Sequence, residues 1–120
     1  MSGPLTYDVC ESREMVFVTL CGRMTLGPHL RAFSDRLEAL IASRAGLVLL
    51  LDLHEVSELD SAGLGELVIL FTACDERHWR LCLVGPSDRL LGILASTRLL
   101  DLFPHFPDRH SAGEWLKGQF

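Results

Sequence analysis

The chain lacks an apolar run long enough to cross a bilayer: its longest, around 47–51 and 67–71, fall far short of the roughly 20 residues a spanning helix needs. A signal peptide is missing as well. Met1-Ser2-Gly3-Pro4-Leu5 has neither a basic start nor an apolar stretch behind it, so a cytoplasmic location without direct membrane insertion is the expectation. Basic excess is absent too: a net charge of -5 and a pI near 5.4 exclude the electrostatic footprint of a dedicated nucleic-acid binder, leaving proteins or small molecules as partners. The cysteines Cys10, Cys21, Cys74 and Cys82 form no C-x-x-C, and each lies in an apolar stretch. Buried, reduced thiols are expected, with redox sensing as the alternative. His29, His54, His78, His105 and His110 show no H-x-x-x-H spacing and no neighbouring cysteine, so neither a metal nor a cofactor is expected. Repeats, linkers and low-complexity segments are also missing.

What is present is a core. Of the 120 residues, 48% are apolar, which suits one domain spanning 1–120. A domain of this size buries roughly two-thirds of its unfolded surface and needs no disulfide or metal staple.

Leu5 to Glu11 alternates loosely, Ser12-Arg13-Glu14 makes a polar turn, and Met15 to Cys21 is rich in β-branched and aromatic residues. The pattern predicts a β-hairpin ended by Gly22. Pro28 opens a helix whose apolar positions Leu30, Phe33, Leu37, Leu40 and Ile41 form one stripe, with Gly46 as its stop. Leu47 to Leu53 is apolar on both faces, as in a covered central strand. An acidic loop from Asp52 to Ser61 follows, and Leu64, Leu67, Val68, Phe71 and Cys74 mark a second helix. Trp79 to Val84 reads as a strand and Gly85-Pro86 as a turn. Ser87 or Asp88 caps a third helix that buries Leu90, Leu91 and Leu94. Pro104 and Pro107 restrict 99–106 to a loop or short edge strand, where Leu99, Leu100, Leu102 and Phe103 supply core or partner surface. Ser111-Ala112-Gly113-Glu114 has capping-box spacing for a last helix that packs Trp115 and Leu116. The predicted order, β-β-α-β-α-β-α-(β)-α, implies an α/β layer with a mixed, mostly parallel central sheet and about four flanking helices.

Function gathers at Leu59-Asp60-Ser61-Ala62-Gly63-Leu64-Gly65, where a strand hands over to a helix. A serine there meets free N–H groups and a partial positive charge, so it serves either as an N-cap or as a tolerated phosphate acceptor. Asp60 divides evenly between capping the helix and orienting a kinase. Ser57 reads as a turn residue. Gly63 suits close approach by a partner's backbone, and Gly65 suits tight packing of helix on sheet.

The motif Asp60-Ser61-Ala62-Gly63-Leu64, in this order of elements, resembles the STAS domain of bacterial anti-sigma factor antagonists and sulfate-transporter tails. The family pattern is Asp-Ser-(small)-Gly-(apolar), and the likeness runs from about Leu5 to Leu116. The resemblance implies a STAS-like fold and a partner switch in transcription regulation. Unmodified Ser61 binds an anti-sigma factor with serine kinase activity, phosphorylation of Ser61 releases it, and a phosphatase resets the cycle. Partner-binding residues on this reading are Asp60, Ser61, Ala62, Gly63, Leu64, Ser57 and Thr25, and no residue is catalytic. The chain departs from the family at Gly22-Arg23-Met24-Thr25, where many antagonists carry Gly-Glu-Leu-Asp, and at Arg98, where Gly is common. One alternative is a non-phosphorylated STAS subunit of a bacterial lipid ABC transport complex. Another is a small serine hydrolase using Ser61 with His54 and Asp52, although Leu59 occupies the first glycine position of G-x-S-x-G.

Overall fold

The computed structural model describes residues 3–117. The N-terminal hairpin is present: β1 (Thr6–Glu11) and β2 (Met15–Met24) pair antiparallel from Thr6↔Cys21 to Glu11↔Val16. The turn is held by Ser12, whose N–H and Oγ both donate to the Met15 carbonyl at 2.8 and 3.1 Å. Alternation along β2 buries Val16, Val18, Leu20 and Met24 on one face. Gly22 does not end the strand as expected. It sits at φ 98, and a Cβ there would lie 2.5 Å from the Pro4 carbonyl oxygen. The residue is glycine because the chain at 3–4 runs against it, with Arg23 N–H donating to the Gly3 carbonyl at 3.0 Å.

Helix α1 (Pro28–Ser43) starts at its proline and buries Leu30, Phe33, Ser34, Leu37 and Ile41, the predicted stripe with one added serine. Strand β3 is the main departure from expectation. It runs Val48–Leu59, so the acidic segment after Asp52 is strand rather than loop. Parallel pairing with β2 continues from Thr19↔Asp52 through Cys21↔Glu55, Gly22↔Val56 and Arg23↔Glu58 to Met24↔Leu59. Register slips at two points let eight residues of β3 oppose six of β2. Such bulges break the period-2 alternation by which a strand is recognised, which is why this half reads as loop. The buried residues Leu53 and Val56 reveal it.

Beyond β3 come α2 (Ser61–Glu76), β4 (Arg80–Val84) and α3 (Asp88–Ser96), the last capped by Ser87 Oγ, which accepts from Leu90 N–H at 3.2 Å. A 3₁₀ turn (Leu100–Leu102) leads to the two-residue edge strand β5 (His105–Phe106) and then α4 (Arg109–Lys117). Helix α4 starts two residues before the predicted capping box. Asp108 Oδ1 accepts from Ser111 N–H at 2.7 Å, so Asp108 is the cap.

The sheet order is β1-β2-β3-β4-β5, antiparallel between the first two strands and parallel thereafter. Its larger core gathers Val18, Leu51 and Leu83 of the sheet with Leu37 of α1, Leu70 of α2 and Leu94 of α3. A smaller cluster on the opposite face places Ala112 and Leu116 of α4 over Val48, Leu50, Cys82 and Val84. Arg109 ties α4 down, its guanidinium 3.9 Å from the Phe17 ring centre and 3.5 Å from Asp52 Oδ2. The hairpin side of that face is left open, which corrects the expectation of four buried thiols. Cys74 and Cys82 are buried and their thiols are pushed up to about 12 by desolvation, whereas Cys10 and Cys21 are exposed.

Candidate functional site

The segment Leu59-Asp60-Ser61 turns from extended to helical backbone at one residue. Asp60 has φ -99 and ψ -175 and is the N-cap of α2, its Oδ1 accepting from Gly63 N–H at 2.8 Å. Its carbonyl accepts from Leu64 N–H at 2.9 Å, the first bond of the helix. Capping therefore belongs to Asp60 and not to Ser61. The other oxygen, Oδ2, accepts from Leu26 N–H at 3.0 Å, across from the turn between β2 and α1. The Leu26 amide, and then that of Gly63, hold the Asp60 carboxyl below its ordinary value of 3.8.

With the cap made by its neighbour, Ser61 stands at the first helical position with an exposed side chain that takes no part in the cap. One face of α2 continues from it at helical spacing through Gly65 to Ile69, both exposed, Ile69 to 44%. Leu26, beyond the N-terminal end of α2, is exposed to 82%. Sequence reasoning missed Leu26. The available signal was an isolated leucine between Thr25 and Gly27, in a turn where a polar residue is ordinary.

Gly63 is buried, and a Cβ on it would overlap the Met24 carbonyl oxygen and approach Leu59 Cδ1 to 2.9 Å. The backbone that approaches Gly63 is thus the chain's own β2, not a partner's. Gly65 has nothing within 4 Å of where a Cβ would stand, so helix–sheet packing does not require it. Ala62 and Leu64 are half-buried and join the core from the first turn of α2. Thr25, just past β2, helps line a hollow of about 110 Å³ with Arg23, Leu26 and His29. Ser57 is exposed on the bulged stretch of β3, so it is a strand residue and not the turn residue expected.

The hydrolase constellation is not assembled. Asp52 Oδ1 accepts from the backbone N–H of His54 at 3.0 Å and Oδ2 faces Arg109, so the carboxylate orients no imidazole. Asp52 and His54 line a separate hollow of about 160 Å³ with Val84, Gly85, Pro107, Asp108 and Arg109, in which Ser61 has no part. Among the described residues, no group of three or more His, Cys, Asp or Glu is placed to hold a metal ion, and no helix is long and apolar enough to cross a membrane.

The profile of the STAS domain matches residues 13–112. The chain belongs to the STAS domain family. An anti-sigma-B factor antagonist of Listeria monocytogenes is 44% identical over 59 residues, 49% of this chain and 52% of that protein. The chain thus spans about half the length of the curated relative it matches. Among solved structures, the anti-sigma factor antagonist SpoIIAA in its unphosphorylated form superposes with a TM-score of 0.78 at 17% identity, covering 94% of this chain and 97% of that one. The Bacillus cell fate determinant SpoIIAA in its phosphorylated form gives 0.73 at 18% identity, over 92% and 99%. At these identities the superpositions show a shared fold.

Proposed function

We propose that this STAS domain is an anti-sigma factor antagonist that works by partner switching, with Ser61 as phosphoacceptor. The observation that carries the reading is the exposed Ser61 hydroxyl at the first position of α2, freed from capping by Asp60 and flanked by exposed Leu26 and Ile69. The match to an anti-sigma-B factor antagonist over 49% of the chain supports it. Unmodified, this surface docks on an anti-sigma factor with serine kinase activity and holds it away from its sigma factor. The kinase moves the γ-phosphoryl group of ATP to Ser61 Oγ. The Oγ–P bond forms, the bond to the ADP oxygen breaks, and the hydroxyl proton leaves to a base of the kinase.

The phosphate adds about -1.5 to -2 charges at one point of a surface that already carries the Asp60 carboxylate on the preceding residue. Removing that charge from water in an apolar interface without basic partners is costly, so the complex dissociates. A phosphatase then restores the hydroxyl. Purification from the native host followed by intact-mass measurement tests the reading. A gain of one phosphate that vanishes in Ser61→Ala is expected, and its absence under every growth condition would sink it. Ser61→Glu is expected to lose affinity for the anti-sigma factor, and undiminished binding would overturn the charge mechanism.

Thr25, in place of the acidic residue many antagonists carry there, supports a second reading. In it, the same turn and helix form a constitutive contact within a bacterial lipid ABC transport complex. That reading expects no phosphate at Ser61 and co-purification with permease and ATPase subunits.

A further inference from the structure

Asp60 makes one bond more than capping requires. Oδ1 serves Gly63 within α2, while Oδ2 reaches the amide of Leu26, 34 positions earlier in the chain. That second bond fixes the turn carrying the most exposed large apolar side chain among the described residues. Past Leu26 the turn is tied into α1 by Arg31 N–H, which donates to the Gly27 carbonyl at 3.2 Å, while the other bond from Asp60 to this corner, its N–H to the Met24 carbonyl, is long at 3.5 Å. Gly27 has open space where a Cβ would stand.

We propose that Asp60 is a positioning residue that couples the charge on Ser61 to the placement of Leu26, so that a phosphate on Ser61 frees the Leu26 amide and releases the apolar side chain. The inference rests on reading Ser61 as the phosphoacceptor. A phosphate at the first helical position seeks the same first-turn amides that the Asp60 carboxylate occupies. With three acceptor oxygens and the larger charge, it displaces a single carboxylate from them. Two anions on consecutive residues also repel, and the side chain with an alternative is Asp60, which turns out to water. Both of its oxygens leave together, because one carboxylate holds both bonds. Modification thus subtracts an apolar contact from the docking surface at the same moment as it adds a charge. The partner implied is one that receives Leu26 in an apolar recess next to the position of Ser61.

The test uses the full chain labelled with ¹⁵N, in three forms: unmodified, with phosphoserine installed at position 61 by genetic encoding, and Ser61→Ala. Hydrogen exchange at the Leu26 amide is expected to quicken by about tenfold or more in the phosphorylated form alone, with core amides such as Leu51 unchanged. The Leu26 amide signal is expected to follow the titration of Asp60 in the unmodified and Ser61→Ala forms and to lose that dependence in the phosphorylated one. A Leu26 amide that stays equally protected and still titrates with Asp60 after phosphorylation overturns the coupling. Because the phosphate is installed, the result is independent of whether the native host modifies Ser61. Failure here would overturn the coupling and leave the charge mechanism standing, whereas failure of the intact-mass experiment would remove the phosphoacceptor reading on which the coupling rests.

Discussion

At Asp60 one carboxylate answers two needs that lie in different parts of the chain, the open amides of α2 and the turn at Leu26. Both bonds favour the ionised form, so the folded-state pKa lies below the ordinary 3.8. A depressed carboxyl contributes stability that is present above the unfolded pKa and is lost as pH falls through the folded one. Asp60→Ala is therefore expected to be less stable than the parent at neutral pH, with the gap narrowing below about pH 4. Urea denaturation across that range checks it, and a gap independent of pH would contradict the assignment. Two glycines nearby should behave oppositely. Gly63→Ala drives a methyl into the Met24 carbonyl and is expected to cost about 3 kcal/mol. Gly65→Ala enters open space in a helix and should gain about 0.5–1 kcal/mol. Equal effects in urea midpoints would show that the contact between β2 and α2 is looser than described. Arg98, where the family favours Gly, has φ 62, so a side chain occupies a left-handed position that glycine adopts without strain.

Among the elements, α1 and α3 were legible in advance because helices are written in local spacing. The stripe Leu30, Phe33, Leu37, Ile41 and the Ser87 cap can be read within a few turns of chain. The C-terminal end of α1 is different. Ser43 Oγ closes the Leu40 carbonyl locally at 2.6 Å, but two further carbonyls take donors from past the end of α2: Arg77 Nη2 donates to Ala42 O at 2.9 Å and Trp79 Nε1 to Arg44 O at 2.9 Å. No local motif announces those two long-range bonds. Trp79→Phe keeps the apolar ring and removes the donor, so it should cost about 1–2 kcal/mol in equilibrium unfolding with little change in the m-value. A neutral result would mean that the Arg44 carbonyl finds water instead. Helix α4 starts earlier than its capping-box spacing indicates for a related reason. Asp108 and Ser111 both suit a cap, and the choice rests on how the chain leaves β5.

Across the whole molecule, three helices cover one face of the sheet, while α4 covers only part of the other. That imbalance sorts the cysteines. Cys10 and Cys21 lie on the hairpin and are exposed, whereas Cys74 and Cys82 are buried with thiols raised to about 12. A water-soluble disulfide reagent should titrate two thiols in the folded protein and four in denaturant. Four thiols reacting at once under native conditions would show that the layers open readily. The open part of the sheet lies across from the helical layer that carries Ser61, so modification of Cys10 should leave partner docking unchanged.

The order of elements, the apolar stripe of α1 and the strand-to-helix junction at Asp60-Ser61 follow from sequence alone, because torsional preference and short-range spacing dictate them. The tertiary structure decided what depends on residues far apart. It extended β3 through the acidic stretch, because β2 runs on to Met24 and offers unpaired backbone for Glu55, Val56 and Glu58 to join. It made Gly63 a point of contact with β2 and gave Asp60 its second partner in Leu26. Sheet pairing and close approach cost conformational entropy and are returned only as contacts across the fold, so a chain read residue by residue shows the groups that can take part but not which of them meet.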